Sequence, residues 1–268
     1  MPPSVRYRVQ TTETWITHLR RWSPVTALSL ESARFDTQLL ENPELLSIDV
    51  IMVIWHNTGV TNLPLKSSYG FRYHSDLIGG SLMVFESRII ADLMLSDVDR
   101  AAWKTAIHDE NRLQKARPAT ATRVARAVRQ RLERLEAPFW QALRDGDDQL
   151  ATQVAFCAAL ARNPLLVEFL EVVVTDAFVT RAEILELYHW DDFLDERVYR
   201  DASIADWTSA SKRKMRQVAF RMLAEVGLLE STRSRRLRPL FLRPELVGLL
   251  ERHRFTRLLN CLKALGPR

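Results

Sequence analysis

The chain has 268 residues, 47% of them apolar and 26% charged, with a formal net charge of +5; this is the composition of a globular protein of one or two domains, not of a disordered one. Only 8 glycines are present, and neither GxGxxG nor GxxxxGKS/T occurs, which excludes the glycine-cradled phosphate sites of nucleotide-binding enzymes. No apolar run is long enough for a membrane span and the N-terminus lacks a signal-peptide core, while Cys157 and Cys261, outside any CxxC or Cys/His cluster, read as buried free thiols in a reducing, cytoplasmic setting.

Residues 1–70 read as an N-terminal extension of unassigned fold. Pro2, Pro3, Pro24, Pro43 and Pro64 interrupt regular structure, and Ser47–Trp55 (SIDVIMVIW) is apolar and β-branched, a strand or a short buried segment. From Tyr73 onward the periodicity turns helical. It predicts a helix over Glu86–Leu95, a cap at Ser96-Asp97, and another helix over Val98–Ile107 with Trp103 inside its pattern. Pro118 suits the first turn of a helix running to Leu135. Further helices are predicted over Asp147–Arg162, Asn163–Phe178, Glu183–Asp195 and Ser209–Val226.

Gly227 closes the last of these as a C-cap residue. Two short apolar stretches, Leu228–Glu230 and Leu237–Leu242, then flank the basic turn Ser231–Arg236, which predicts a β-hairpin. A helix, a glycine cap and an arginine-tipped hairpin form the layout of a winged helix-turn-helix. The expected fold class is mainly α, with helix-turn-helix elements and a C-terminal winged-helix β-hairpin. The expected division is the extension 1–70, a helical domain 71–180 with a helix-turn-helix-like basic helix, and a winged-helix-like domain 181–268.

The positive charge is clustered. Residues 111–134 hold eight basic side chains and one acidic, and residues 209–243 hold ten and two, so the two windows carry +7 and +8 against +5 for the whole chain. Clustering of this kind focuses positive potential and is the footprint of a polyanionic partner. On a helical wheel, Met215, Val218, Ala219, Met222 and Val226 make the core stripe of the second basic helix. Arg213, Gln217, Phe220 and Ala224 lie opposite, flanked by Lys212, Lys214, Arg216 and Arg221. Arg and Gln can read guanine and adenine bidentately while neighbouring cations hold phosphates. Arg233, Arg235 and Arg236 at the hairpin tip are candidates for the adjacent backbone or minor groove. In the first window, Ala121, Val124, Ala125, Val128, Leu132 and Leu135 form the core stripe, with Arg123, Arg126 and Gln130 opposite and Arg112, Lys115 and Arg117 leading in. A solvated basic face and a face that docks an acidic protein are the competing readings of both helices.

Enzyme signatures are missing. His189, Asp191, Asp192 and Asp195 crowd together in sequence, but their helical spacing splits them between directions, which suits capping and solvated charge better than a metal. Neither GxSxG nor HExxH occurs, and contiguous His74-Ser75-Asp76 cannot converge as a triad. The tryptophans fall mostly at core spacing rather than as stacking platforms for single strands. The expectation is a non-catalytic protein with no cofactor, no metal and no small-molecule substrate.

Several separated blocks resemble the BrxA family. They are Tyr73–Leu77, Gly79–Leu82, Glu86–Leu93, Glu110–Lys115 leading into Pro118–Ala121, Trp207–Lys214, Leu223–Leu229 and Thr232–Ser234. The likeness spans roughly residues 73–262. It implies a partly NusB-like helical protein that binds double-stranded DNA without catalysis, beside other proteins of a BREX bacteriophage-exclusion system. The NusB likeness keeps RNA binding open, and an adaptor docking acidic partners of the defence complex is the other alternative. Residues 1–70 lie outside the resemblance, as an added segment or as the product of an upstream start.

Overall fold

The structure, a computed structural model, describes residues 72–267, and helices dominate it. The extension and its predicted strand Ser47–Trp55 lie outside the described residues. A 3-10 turn, Ser75–Gly79, leads into α1 (Val84–Leu95). Next comes α2 (Arg100–Lys104), which runs on as a π turn over Thr105–Asp109. Its cap is Asp99, which accepts from Ala102 N at 2.8 Å, rather than the expected Ser96-Asp97 pair. α3 (Pro118–Leu132) begins on its proline as predicted and stops one turn short of Leu135.

α4 (Ala137–Asp145), where no helix is predicted, carries Pro138 in its first turn. Proline in a first helical turn costs no hydrogen bond, so the same residue opens a helix here. α5 (Asp148–Arg162) is capped by Asp147, whose carboxylate accepts from Leu150 N at 2.8 Å. α6 (Pro164–Phe169), a π turn (Leu170–Val174) and α7 (Thr175–Val179) continue one helical path from Asn163, as the periodicity predicted. α8 (Tyr188–Arg197) starts later than its predicted Glu183. After the 3-10 turn Ala202–Asp206, α9 (Ser209–Glu225) matches its prediction and is capped by Thr208. α10 (Pro244–Arg252) and α11 (Thr256–Ala264) complete the order.

α5 is the hub. Leu150, Ala151 and every residue from Gln153 to Leu160 are buried, and a helix apolar all round belongs inside. It packs against α1, α3, α4, α6, α10 and α11, and its run of alanines lets those neighbours approach. Gln153 ties the C-terminal helices to it: the amide donates to Phe241 O at 2.8 Å and accepts from Arg243 N at 2.9 Å. Across residue 180, Phe169 packs edge-on to Trp190 and Phe193, at 4.8 and 5.3 Å between ring centroids.

The winged-helix β-hairpin is corrected. Among the described residues no β-strand forms. Leu229–Leu237 and Ile184–Arg236 are isolated antiparallel bridges. Glu230 N donates to Arg236 O and Arg238 N to Leu228 O, each at 2.9 Å. Pairing ends there because the next amide in register, Leu240 N, turns to Leu265 O instead, while Pro239 has no N–H to continue on the side of residues 183–185. The segment 183–185 takes up the outer side of this turn, with Leu185 N on Arg235 O at 3.0 Å. That pairing is why α8 begins late. Gly227, at φ 90°, does close α9 as predicted, in a conformation that favours glycine.

Candidate nucleic-acid interface

The two basic windows hold cations of two kinds, those tied to the fold and those left to solvent. In the first, Arg112 pairs with Asp92 of α1 at 2.9 Å and Lys115 pairs with Glu86 of the same helix. Asn111 closes the turn between them, accepting from Lys115 N at 2.9 Å and donating to Lys115 O at 3.1 Å. These contacts anchor the approach to α3. Arg131, also in this window, is buried and donates to Ser81 O at 2.6 Å and Gly80 O at 2.7 Å. Gly80 has φ 145°, and a Cβ there would meet Met83 Sδ at 2.8 Å, so the loop that Arg131 grips requires glycine.

The predicted outward face of α3 is outward. Arg123, Arg126 and Gln130 are exposed, and all six residues of the predicted core stripe are buried. Arg123 rests on Gly79 O at 3.2 Å. Arg117 and Arg126 form no ion pair with any described residue.

α3 packs on the π turn that follows α2, and between these elements lies an open groove of about 920 Å³. Arg100, Trp103, Lys104 and His108 line one wall; Thr122, Arg126, Arg129 and Gln130 line the other, together with Glu133 at the α3 C-cap. Arg129 pairs with Glu133 at 2.8 Å, and its guanidinium carbon lies over the Trp103 ring, 4.8 Å from the centroid. His108 Nε2 and Thr122 Oγ1 face each other at 3.5 Å. Four cations against one carboxylate leave the groove positive.

The second window divides in the same way. Arg213, Lys214 and Gln217 are exposed and Lys212 half-exposed at the start of α9, and none of the three cations has an ion pair with a described residue. Arg216 is held by Asp191 of α8. Arg221 pairs with Glu225 at 3.0 Å, and that carboxylate also accepts from Leu82 N at 2.8 Å. Phe220 is not outward: it is buried at 2% exposure beside Phe169. The outward face of α9 is therefore shorter than its wheel suggests. In the turn, Arg233 and Arg236 are exposed, whereas Arg235 pairs with Glu186 at 3.0 Å.

The remaining candidates for chemistry disperse. His189 Nδ1 accepts from Glu186 N at 3.2 Å and Asp191 is taken by Arg216, and no group of three metal-ligating side chains converges among the described residues. Burial pushes both the Cys157 and Cys261 thiols up to about 12, so neither is a ready thiolate. No helix among the described residues is long and apolar enough to cross a membrane.

A known family model, BrxA, matches residues 71–254, which take in every described helix but α11. The chain belongs to the BrxA family. A second model, described as RRXRR protein, matches residues 1–50. The BREX protein BrxA of Paramagnetospirillum magneticum (strain ATCC 700264 / AMB-1) is 35% identical over 192 residues, which cover 72% of this chain and 96% of that protein. The BREX protein BrxA of Escherichia coli O9:H4 (strain HS) is 34% identical over 177 residues, 66% of this chain and 83% of its own. The crystal structure of an uncharacterized protein from Magnetospirillum magneticum superposes with a TM-score of 0.67 at 33% identity, covering 72% of this chain and 100% of that one.

All the candidate contacts lie inside the BrxA match, including four that sequence reasoning missed: Arg100, Trp103, Lys104 and His108. Charge counting passed over them because residues 96–110 hold four acids and two bases. The signal was the i, i+4 pair Arg100 and Lys104 flanking Trp103, which puts two cations on one helical face.

Proposed function

We propose that this BrxA-family chain is a non-catalytic, duplex-DNA-binding component of a cytoplasmic BREX bacteriophage-exclusion system, working beside other BREX proteins. The names of its relatives supply the setting. The observation that carries the DNA reading is the sorting of cations. Acidic neighbours and backbone carbonyls tie Arg112, Lys115, Arg131, Arg216, Arg221 and Arg235 into the fold. Lys212, Arg213, Lys214, Arg233, Arg117 and Arg126 have no such partner among the described residues, and Arg236, though near Glu230, forms no ion pair there. An unpaired surface cation keeps its full field for a polyanion and pays no ion-pair breakage on binding. Gln217 and Gln130, exposed among them, are the groups suited to base edges. The helix-turn-helix character of this reading rests on α3 and α9 alone, with no wing.

Fluorescence anisotropy with a labelled duplex across a salt series tests this. Affinity should fall steeply with salt, as counterion release requires. Reversing Arg213 and Lys214 together (R213E/K214E) should weaken binding by roughly tenfold or more and flatten the salt slope by about two contacts. Salt-insensitive binding, or no duplex binding at all, sinks the proposal. Co-purification with other defence proteins under that second outcome would assign the cations to docking an acidic partner.

A further inference from the structure

The groove between α2 and α3 differs from the rest of the basic surface in shape. The α9 cations sit on a convex helix, which can meet a duplex from outside. The groove is concave and runs between two packed elements. The groove, about 920 Å³ and open to solvent, is small for a double helix but has room for a short extended strand. Cations stand on both walls, Arg100 and Lys104 on one and Arg126 and Arg129 on the other. The Trp103 ring, with the Arg129 guanidinium 4.8 Å over it, lies in the same groove. A positive channel with a planar stacking group inside it is the arrangement that holds single strands, because phosphates follow the cations while a base stacks on the ring or guanidinium.

We propose that this groove seats a single nucleic-acid strand, distinct from the duplex surface on α9. The inference rests on the nucleic-acid reading above. The strand's phosphates lie between Lys104 and Arg126, and one base stacks against the Trp103–Arg129 pair. Glu133, which holds Arg129 at 2.8 Å, opposes the strand and sets the affinity.

Anisotropy of one labelled oligonucleotide, single-stranded and annealed, separates the two surfaces on the full chain. Arg100 and Lys104 are both exposed, so Arg100→Glu with Lys104→Glu should preserve the fold, weaken the single strand by about tenfold or more and change the duplex less than about twofold. R213E/K214E should do the reverse. Trp103→Leu keeps apolar bulk and should cost about tenfold on the single strand, the size of one lost stacked base. Glu133→Gln should tighten it, a gain that structural damage cannot produce. The proposal is overturned if the groove variants leave the single strand unchanged, if they weaken duplex and single strand equally, or if polyglutamate displaces the strand as well as an oligonucleotide of equal charge does. Duplex binding without single-strand binding removes this inference and leaves the proposed function standing. Single-strand binding without duplex binding does the opposite.

Discussion

The phenol of Tyr73 donates to Oε2 of Glu168 at 2.7 Å, and Glu168 is only 5% exposed. That carboxylate also accepts from Arg197 Nε and from Arg200 Nη1, each at 2.9 Å. A buried carboxylate survives because both of its oxygens find charged or hydroxyl donors. The network joins the start of the described chain to α6 and to the end of α8. Glu168→Ala should therefore destabilise the protein by about 3 kcal/mol, since it leaves the mostly buried Arg197 guanidinium with one distant acid, exposed Glu196 at 3.7 Å. Urea unfolding measures this, and a loss below about 1 kcal/mol would mean that water replaces the network.

The same contact sets an alkaline limit. Burial first, and then the bond to Glu168, push the Tyr73 phenol from 10.0 up to about 12. A group whose folded pKa is raised contributes stability that is fully present below its unfolded pKa and fades as pH rises through the folded one. The Tyr73 contribution should hold below about pH 10 and be lost by about pH 12. Tyr73→Phe should cost about 1 kcal/mol at neutral pH and remove that share of the alkaline loss in thermal melts. At the acid end the sign reverses. Burial alone would raise the Asp201 carboxyl, but the Ser203 hydroxyl and the Tyr73 and Ser203 amides hold it below its ordinary range. Its contribution is present above the unfolded carboxylate pKa and is lost as pH falls through the depressed one. Asp201→Asn should flatten the acid limb of the stability profile.

Arg131 and Arg126 lie five residues apart on α3 and should separate stability from binding. Arg131→Met removes two charge-assisted donors from the Gly80 and Ser81 carbonyls and should cost about 2–3 kcal/mol. Its folded fraction should bind nucleic acid as well as the wild type does. Arg126→Ala should leave the unfolding midpoint unchanged and weaken binding. Equal binding losses in both variants would contradict the division of the basic window into structural and free cations.

Helical periodicity made most of this fold legible. The core stripes of α3 and α9, the Pro118 start, the Asp147 and Asn163 caps and the Gly227 stop all follow from local rules that tertiary packing leaves intact. Apart from α4 and the Asp99 cap, the errors came from contacts remote in sequence. The turn at Ser231–Arg235 pairs with residues 183–185 as well as across itself, and no window reading can see a third segment. Which of Arg112, Lys115, Arg216 and Arg235 are free depended on Asp92, Glu86, Asp191 and Glu186, all outside the basic windows. The groove escaped for the same reason: its two walls are separate in sequence, and the acids beside Arg100 and Lys104 hid them from a charge count.

Phe220 is where the α9 wheel and the structure part most clearly. Opposite an ideal core stripe, it should face solvent, yet it is 2% exposed, with its ring 6.4 Å from that of Phe169. The helix is enclosed on more than one side, because α8 and the turn Ser75–Gly79 both pack on it. Phe169, Trp190, Phe193 and Phe220 thus form one aromatic cluster. Phe220→Ala should cost about 3–5 kcal/mol, the loss expected of a large buried ring that leaves a cavity. Phe220→Leu should cost less, since it keeps most of the volume. Gln217→Ala, three residues earlier and exposed, should stay within about 0.5 kcal/mol. Chemical denaturation of the three variants decides the matter. If Phe220→Ala proved as mild as Gln217→Ala, Phe220 would belong to the outward face after all, and α9 would offer a longer reading surface than the structure gives it.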